Sequence, residues 1–137
     1  EMINTGGGAV IGSYYTTVAA PPDAYSETAA FTKKFTQRFG RKVESFGMYG
    51  YDATLVGIKA MEEWIKANGG KLPSRTDVST AVRRIKNFKG VTGTIQFDSK
   101  GDPLKAKYFV LQYDKQVYPG KVVKVIEQQA PAAPKKP

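Results

Sequence analysis

The chain contains no histidine and no cysteine. Without cysteine there is no disulfide, no thiolate metal site and no thiol nucleophile. Without histidine the commonest general base and the commonest transition-metal ligand are both missing, so a Ser-His-Asp triad is excluded. Acidic residues are scarce as well: 12 Asp and Glu face 21 Lys and Arg, for a net charge of +9. Apolar runs are short. None approaches the roughly 20 residues that a membrane-spanning helix needs. The first residues also lack the basic, apolar and small-residue order of a signal peptide. If the protein is exported, residue 1 is expected to lie downstream of any leader.

What is present suits one globular domain. A chain of 137 residues buries roughly two-thirds of its unfolded surface. Its 41% hydrophobic and 12% aromatic content is too high for a chain disordered throughout. The positive charge is scattered over Lys33-Lys34, Arg38, Arg41-Lys42, Arg83-Arg84, Lys105 and Lys107, a distribution that reads as solvated surface. Two alternatives stay open. A basic single-stranded nucleic-acid-binding domain would use the charge together with the eight tyrosines, as basic grooves with stacking rings do. Against it, Phe31, Phe35 and Phe39 follow a helical core stripe. An enzyme would depend on Asp, Glu, Tyr, Lys or Ser alone, and no spacing pairs a nucleophile with a base.

Residues 1–8, with three consecutive glycines, read as a flexible lead-in, and residues 9–16 as a short apolar strand. Pro21-Pro22-Asp23 marks a turn, with Asp23 or Ser26 expected to cap a helix over residues 24–39. Phe31, Phe35 and Phe39 recur every four residues and so stack on one face. Gly40 stands where a left-handed cap is expected. A second helix is expected to start near residues 48–51 and to end at Ala67. It has two apolar stripes, one of Tyr51, Leu55, Ile58 and Ile65 and one of Ala53, Val56, Ala60 and Trp64, which implies burial over most of its circumference. A third helix is expected over residues 76–87, with Ser74 and Asp77 resembling a capping box. After Gly90 the apolar period changes from 3.6 to 2. Strands are expected at 94–97, 107–113 and 117–126, with Pro119-Gly120 able to interrupt the last. From residue 127 the Gln/Ala/Pro/Lys composition reads as a disordered tail. The order is strand, three helices, then strands: an α/β pattern with few strands for three helices of buried type.

Two segments narrow the field. The first runs Phe46-Gly47-Met48-Tyr49-Gly50-Tyr51-Asp52-Ala53, and the second runs from Phe88-Lys89-Gly90-Val91-Thr92-Gly93-Thr94-Ile95-Gln96-Phe97-Asp98 to Gly101-Asp102-Pro103. Read by themselves, Gly90 and Gly93 bracket a turn, Asp98 and Asp102 serve a strand reversal and not a metal, and Asp52 caps or faces the dipole of a helix start. Together the segments resemble the carboxy-terminal part of the periplasmic solute-binding proteins of ABC transporters, in the branched-chain amino acid receptor (type I) family. The similarity spans residues 9–126.

The resemblance implies a two-lobed fold of which this chain is the carboxy-terminal portion, with crossings between lobes near residues 14–16 and 105–108. It implies capture of a small ligand, an amino acid or related carboxylate, by hinge closure. Its partners would be a membrane permease and the amino-terminal part of the receptor, in a periplasmic or cell-surface location. No nucleic acid, cofactor, metal or reaction is implied. An aromatic residue matching Phe46 touches ligand in that family, so Phe46 is the foremost candidate contact. Tyr49 is expected to add a hydroxyl at the rim, and Tyr14 and Tyr15 to face the cleft from the hinge. The segments that hold the ligand's carboxylate and amino groups precede residue 1 in the family's order, so ligand identity is not readable here.

Overall fold

The computed structural model describes residues 2–25 and 28–129. The chain opens with helix α1 (Met2–Gly6) and a 3-10 turn (Gly7–Val10), so the stretch expected as a flexible lead-in is helical, and the first strand starts later than expected. Gly12, at φ 87°, sits in the left-handed region and delays extended backbone until β1 (Tyr14–Thr17).

A second 3-10 turn (Pro22–Ala24) occupies the place where the first long helix was expected to begin. Asp23 lies inside this turn, and Ser26 is outside the described residues. The helix itself, α2, covers Ala29–Phe39. Buried Thr28 precedes it, and its Oγ1 donates to Tyr25 O at 2.9 Å. Gly40 ends α2 at φ 66°, as its position suggested, with its N–H donating to Thr36 O. The rings of Phe35 and Phe39 lie 4.7 Å apart, and Phe31 lies 4.7 Å from Tyr51. The spacing of four thus produces the expected ring stack, which continues onto the next helix.

Helix α3 (Ser45–Ala67) starts earlier than expected. Gly47 N–H already bonds Glu44 O, which places Phe46 within the first turn and not before the helix. Neither expected stripe is buried throughout, since Ala53 is exposed and Trp64 only half-buried. Met48, Asp52, Val56 and Ala60 point inward, while Tyr51 and Ile58 remain exposed. Helix α4 (Arg75–Arg84) begins at the capping box read from sequence: Asp77 N–H donates to Ser74 Oγ at 3.2 Å, and Ser74 N–H donates to Asp77 Oδ2 at 2.9 Å. It stops short of Asn87 because Ile85 turns extended to reach the core and Asn87 takes φ 54°.

The expected strand at 94–97 is a hairpin, β2 (Phe88–Gly90) with β3 (Gly93–Ile95), followed by a bridge between Phe97 and Pro103. Strands β4 (Lys105–Gln112) and β5 (Lys121–Gln129) form the longest antiparallel pair, and β1 adds to the other edge of β4 in the order β1-β4-β5. The stretch 117–120 is not strand, and Pro119-Gly120 accounts for that. At its far end β5 extends to Gln129, past the expected start of the tail; residues 130–137 lie outside the described residues.

Two buried clusters result. One joins the sheet to the start of α3 through Phe109, Leu111, Tyr25, Val43 and Met48. The other lies inside the α3–α4–hairpin unit, around Val56, Ala60 and Ile85 with Phe88, Ile95 and Phe97 against them. After β1 the chain runs through residues 18–25, α2 and the start of α3 against the first cluster, passes to the second cluster along α3 itself, and returns to the sheet through residues 96–104.

Candidate ligand-binding site

On the sheet side of the molecule, α2, the start of α3 and the β4–β5 link enclose a concavity of about 1850 Å³. Small-ligand sites occupy roughly 300–1,000 Å³, so the hollow is wide for one ligand and these elements supply only part of its wall. Tyr25, Thr32, Lys33, Phe46, Tyr118 and Val122 are among the residues that line it. Phe46 is 66% exposed. A helix start holds it there, and neighbouring Ser45 and Met48 are buried. Thr32 Oγ1 is buried and has no hydrogen-bond partner among the described residues.

Tyr49 lies one turn further along α3, with its hydroxyl committed within the protein. It donates to Val18 O at 2.7 Å, so the 2.9 Å contact with Tyr25 leaves Tyr25 as donor. Tyr25 in turn packs edge-on against Phe109 of β4, at 5.7 Å between ring centres. Burial, and next the bond to Tyr25, push the Tyr49 phenol pKa up, so the hydroxyl stays protonated through the neutral range.

Tyr15 stacks on Tyr113 at 4.8 Å and on Tyr118 at 6.5 Å, and its hydroxyl accepts the Gly120 N–H at 3.0 Å. Burial raises its pKa, with the Gly120 bond opposing the change. Gly120 is required here, because a Cβ would fall 2.5 Å from Gln112 O. Tyr14 is paired with Gln112 while Tyr15 is paired with Leu111. Alternation along the strand therefore sends Tyr14 to the opposite face, where it is 63% exposed. The structure thus gathers Phe46 at the concavity, with Tyr15 beside it through Tyr118 and Tyr49 beside it through Tyr25. It does not bring Tyr14 to them.

Three residues that matter were not singled out for these roles. Tyr25 and Tyr118 form walls, and their neighbours Pro22 and Pro119 are the only local hint of turns there. Asp52 is neither a cap nor a surface charge at a helix start. It is 1% exposed, and its carboxylate accepts Val91 N–H at 2.8 Å, Thr92 N–H at 2.9 Å and Thr92 Oγ1–H at 2.6 Å. Three donors satisfy a buried carboxylate and clamp the β2–β3 turn onto α3. Gly90 makes room: a Cβ there would lie 2.6 Å from Asp52 Cγ. Nothing local in sequence links Asp52 to Thr92, although the glycines around the turn mark it as tight. Asp98 serves the reversal as read, since its Oδ1 accepts from the amides of Lys100, Gly101 and Asp102. Among the described residues no cluster of three His, Cys, Asp or Glu could hold a metal.

Residues 1–117 match the model of the family described as periplasmic binding protein. The chain belongs to that family. It is 30% identical over 115 residues to Leu/Ile/Val-binding protein homolog 2 of Brucella abortus (strain 2308), an alignment that covers 84% of this chain and 29% of the relative. A leucine-binding protein, LivK, of Thermotoga maritima superimposes with a TM-score of 0.67 at 26% identity, over 93% of this chain and 33% of that one. A solute-binding protein of an ABC transporter from R. palustris, solved with benzoate, superimposes over 93% of this chain and 32% of its own, with a TM-score of 0.57 at 18% identity, and so shares the fold. This periplasmic-binding-protein chain therefore spans less than a third of the length of the relative it matches and a third of the solved folds. The α/β architecture expected from sequence, as part of a two-lobed binding-protein fold, is what the superpositions show.

Proposed function

We propose that this chain forms one part of an extracytoplasmic solute receptor that captures a small carboxylate and presents it to an ABC-transporter permease. The observation that supports the reading most is the concavity between α2, the start of α3 and the β4–β5 link, with exposed Phe46 on its wall, in a chain of the periplasmic binding protein family. Closure of the rest of the receptor over this concavity would be a hinge motion, in which a ligand that touches both sides favours the closed arrangement by its differential contacts. The remainder of the two-lobed fold, amino-terminal in the family's order, would complete the wall and cover the exposed stripe of α3. The leucine named for the LivK relative and the benzoate in the R. palustris structure are both small carboxylates, and that shared chemistry supports this ligand class. The reading assigns binding and no bond-making step.

Phe46 is the ligand contact of this reading, since a ring with its face open at the concavity has area left to bury. Tyr15 and Tyr49 shape the wall around it through Tyr118 and Tyr25, and Tyr14 contributes only from the far face of the hinge strand. The nucleic-acid alternative gains no support: Phe31, Phe35 and Phe39 pack on one another and on Tyr51 and do not form an open row for bases.

Titration of the chain with leucine, isoleucine, valine and benzoate, followed by the aromatic proton resonances of Phe46 and Tyr118, tests the reading. Saturable shifts at those rings for at least one acid, abolished by Phe46→Ala, are expected. Shifts confined to other surfaces, or none with any acid, would contradict it.

A further inference from the structure

Arg83 sits in the last turn of α4. Its Nη1 donates to Ser79 Oγ at 2.9 Å and to Ser79 O at 3.4 Å, which lays the guanidinium along the helix. The tip of the 98–102 turn meets it from the other side: Arg83 Nε is 3.4 Å from where a Cβ on Gly101 would stand. Lys100 adjoins this contact. Arg83, Lys100 and Ser79, with Val82 and Phe97 beneath, line a cavity of about 260 Å³ open to solvent.

The two cations of this cavity have no close ion-pair partner among the described residues. Among the described residues the ion pairs are Lys59 with Glu63 and Lys107 with Glu127, and neither involves Arg83 or Lys100. Two of the three acids of the same region are engaged, and the third, Asp102, follows Gly101 in the turn itself. Asp77 is held in the Ser74 capping box, and Asp98 turns Oδ1 inward to three backbone amides. Residues 71–104 carry seven Lys and Arg against three Asp, a net +4. Of the five N–H donors of a guanidinium, Ser79 engages only those on Nη1, and the Nε–Nη2 edge keeps the fork that fits a carboxylate.

We propose that the cavity between α4 and the 98–102 turn, built from Arg83, Lys100 and Ser79, receives a carboxylate side chain from an acidic segment of a protein partner. A single exposed ion pair contributes too little to hold a free small acid. A segment with several carboxylates also gains from Arg84 and Lys86 on the same stretch and from the steering field of the region. Nucleic acid suits the site less, because its one ring, Phe97, packs into the α3–α4 core and offers no open face for a base. The proposal rests on these residues alone and holds whatever solute the concavity takes.

The test is a titration of the ¹⁵N-labelled chain with a short oligoglutamate peptide, followed by the Arg83 Nε–H signal and the amides of Ser79, Lys100 and Gly101. Saturable shifts at these groups are expected, with binding weakened several-fold by Arg83→Gln and again by added salt. Sodium acetate at equal carboxylate concentration should give no saturation. Lys100→Gln provides a second variant that leaves α4 untouched, and Lys34→Gln on α2 should bind like the parent. Shifts spread evenly over Lys33, Lys34 and Lys124, or unchanged affinity in both cavity variants, would overturn the proposal. So would tighter binding of an oligothymidylate to the same groups.

Discussion

The α3–α4–hairpin unit and the β1-β4-β5 sheet differ in how far each closes on itself. In the helical unit, Val56, Ala60 and Ile85 are buried, the capping box starts α4, and Asp52 fastens the hairpin to α3. The sheet buries Phe109 and Leu111 on one face, but β5 is an edge strand with Val123, Val125 and Ile126 all more than 40% exposed. Strands normally guard such edges with charge, bulges or cover. Here β5 has Lys121, Lys124 and Glu127 and a register shift opposite Val110/Leu111 of β4 that leaves Val123 unpaired, which is partial protection. Both units leave apolar surface to cover, Ile58 and Met61 on α3 and Val123, Val125 and Ile126 on β5, but the helical unit is also tied internally by the Asp52 clamp and the capping box.

Substitutions that should behave differently in the two units sharpen this contrast. The largest effect is expected at Phe109, 2% exposed and shared between the sheet and the 18–25 segment. Phe109→Ala should cost about 3–5 kcal/mol, read as a fall in the denaturant midpoint, whereas Val125→Thr on the same sheet should stay within about 0.5 kcal/mol. Equal losses would mean that β5 is covered after all. Next comes Asp52→Asn, which sets an amide donor against backbone donors and leaves at least one buried N–H unmet. A loss of about 2 kcal/mol is expected, with hydrogen exchange faster at Val91 and Thr92 and unchanged in β4.

Tyr49→Phe removes the hydroxyl that ties α3 to the 18–25 segment and should cost about 1 kcal/mol at neutral pH. The wild-type hydroxyl also predicts a pH dependence. Its folded pKa lies above the unfolded value of about 10, so its contribution is complete below that pH and declines as pH rises past it. Urea melts at increasing alkaline pH should show the parent losing stability more steeply than Tyr49→Phe. The smallest effect belongs to Phe46→Ala: with its ring mostly exposed, ligand-free stability should change by less than about 0.5 kcal/mol. A loss comparable to that of Phe109→Ala would make Phe46 a core residue and remove it from the site.

Much of this was legible in the residues. The rings of Phe31, Phe35 and Phe39, the Ser74–Asp77 box, the Gly40 cap and the change of period after Gly90 each encode a local geometry that the structure keeps. The errors arose where local signals were overridden or ambiguous. Glycine-rich residues 6–8 suit several conformations and settle into helix and 3-10 turn. Two apolar stripes on α3 implied two buried faces, but Ala53 and Ile58 remain exposed and Tyr51 is covered only in part, by Phe31. The site was harder to read. Phe46 was placed by resemblance, while the bonds of Tyr49 to Val18 and of Asp52 to Thr92 join segments too distant in sequence for any periodicity to report.

Amide hydrogen exchange on the intact chain at neutral pH compares the two units directly. The slowest exchange is expected at Val56, Ala60 and Ile85, with β5 residues 121–129 exchanging much faster as a group. Protection of β5 equal to that of the α3–α4 core would contradict this, because the sheet would then be as closed as the helices.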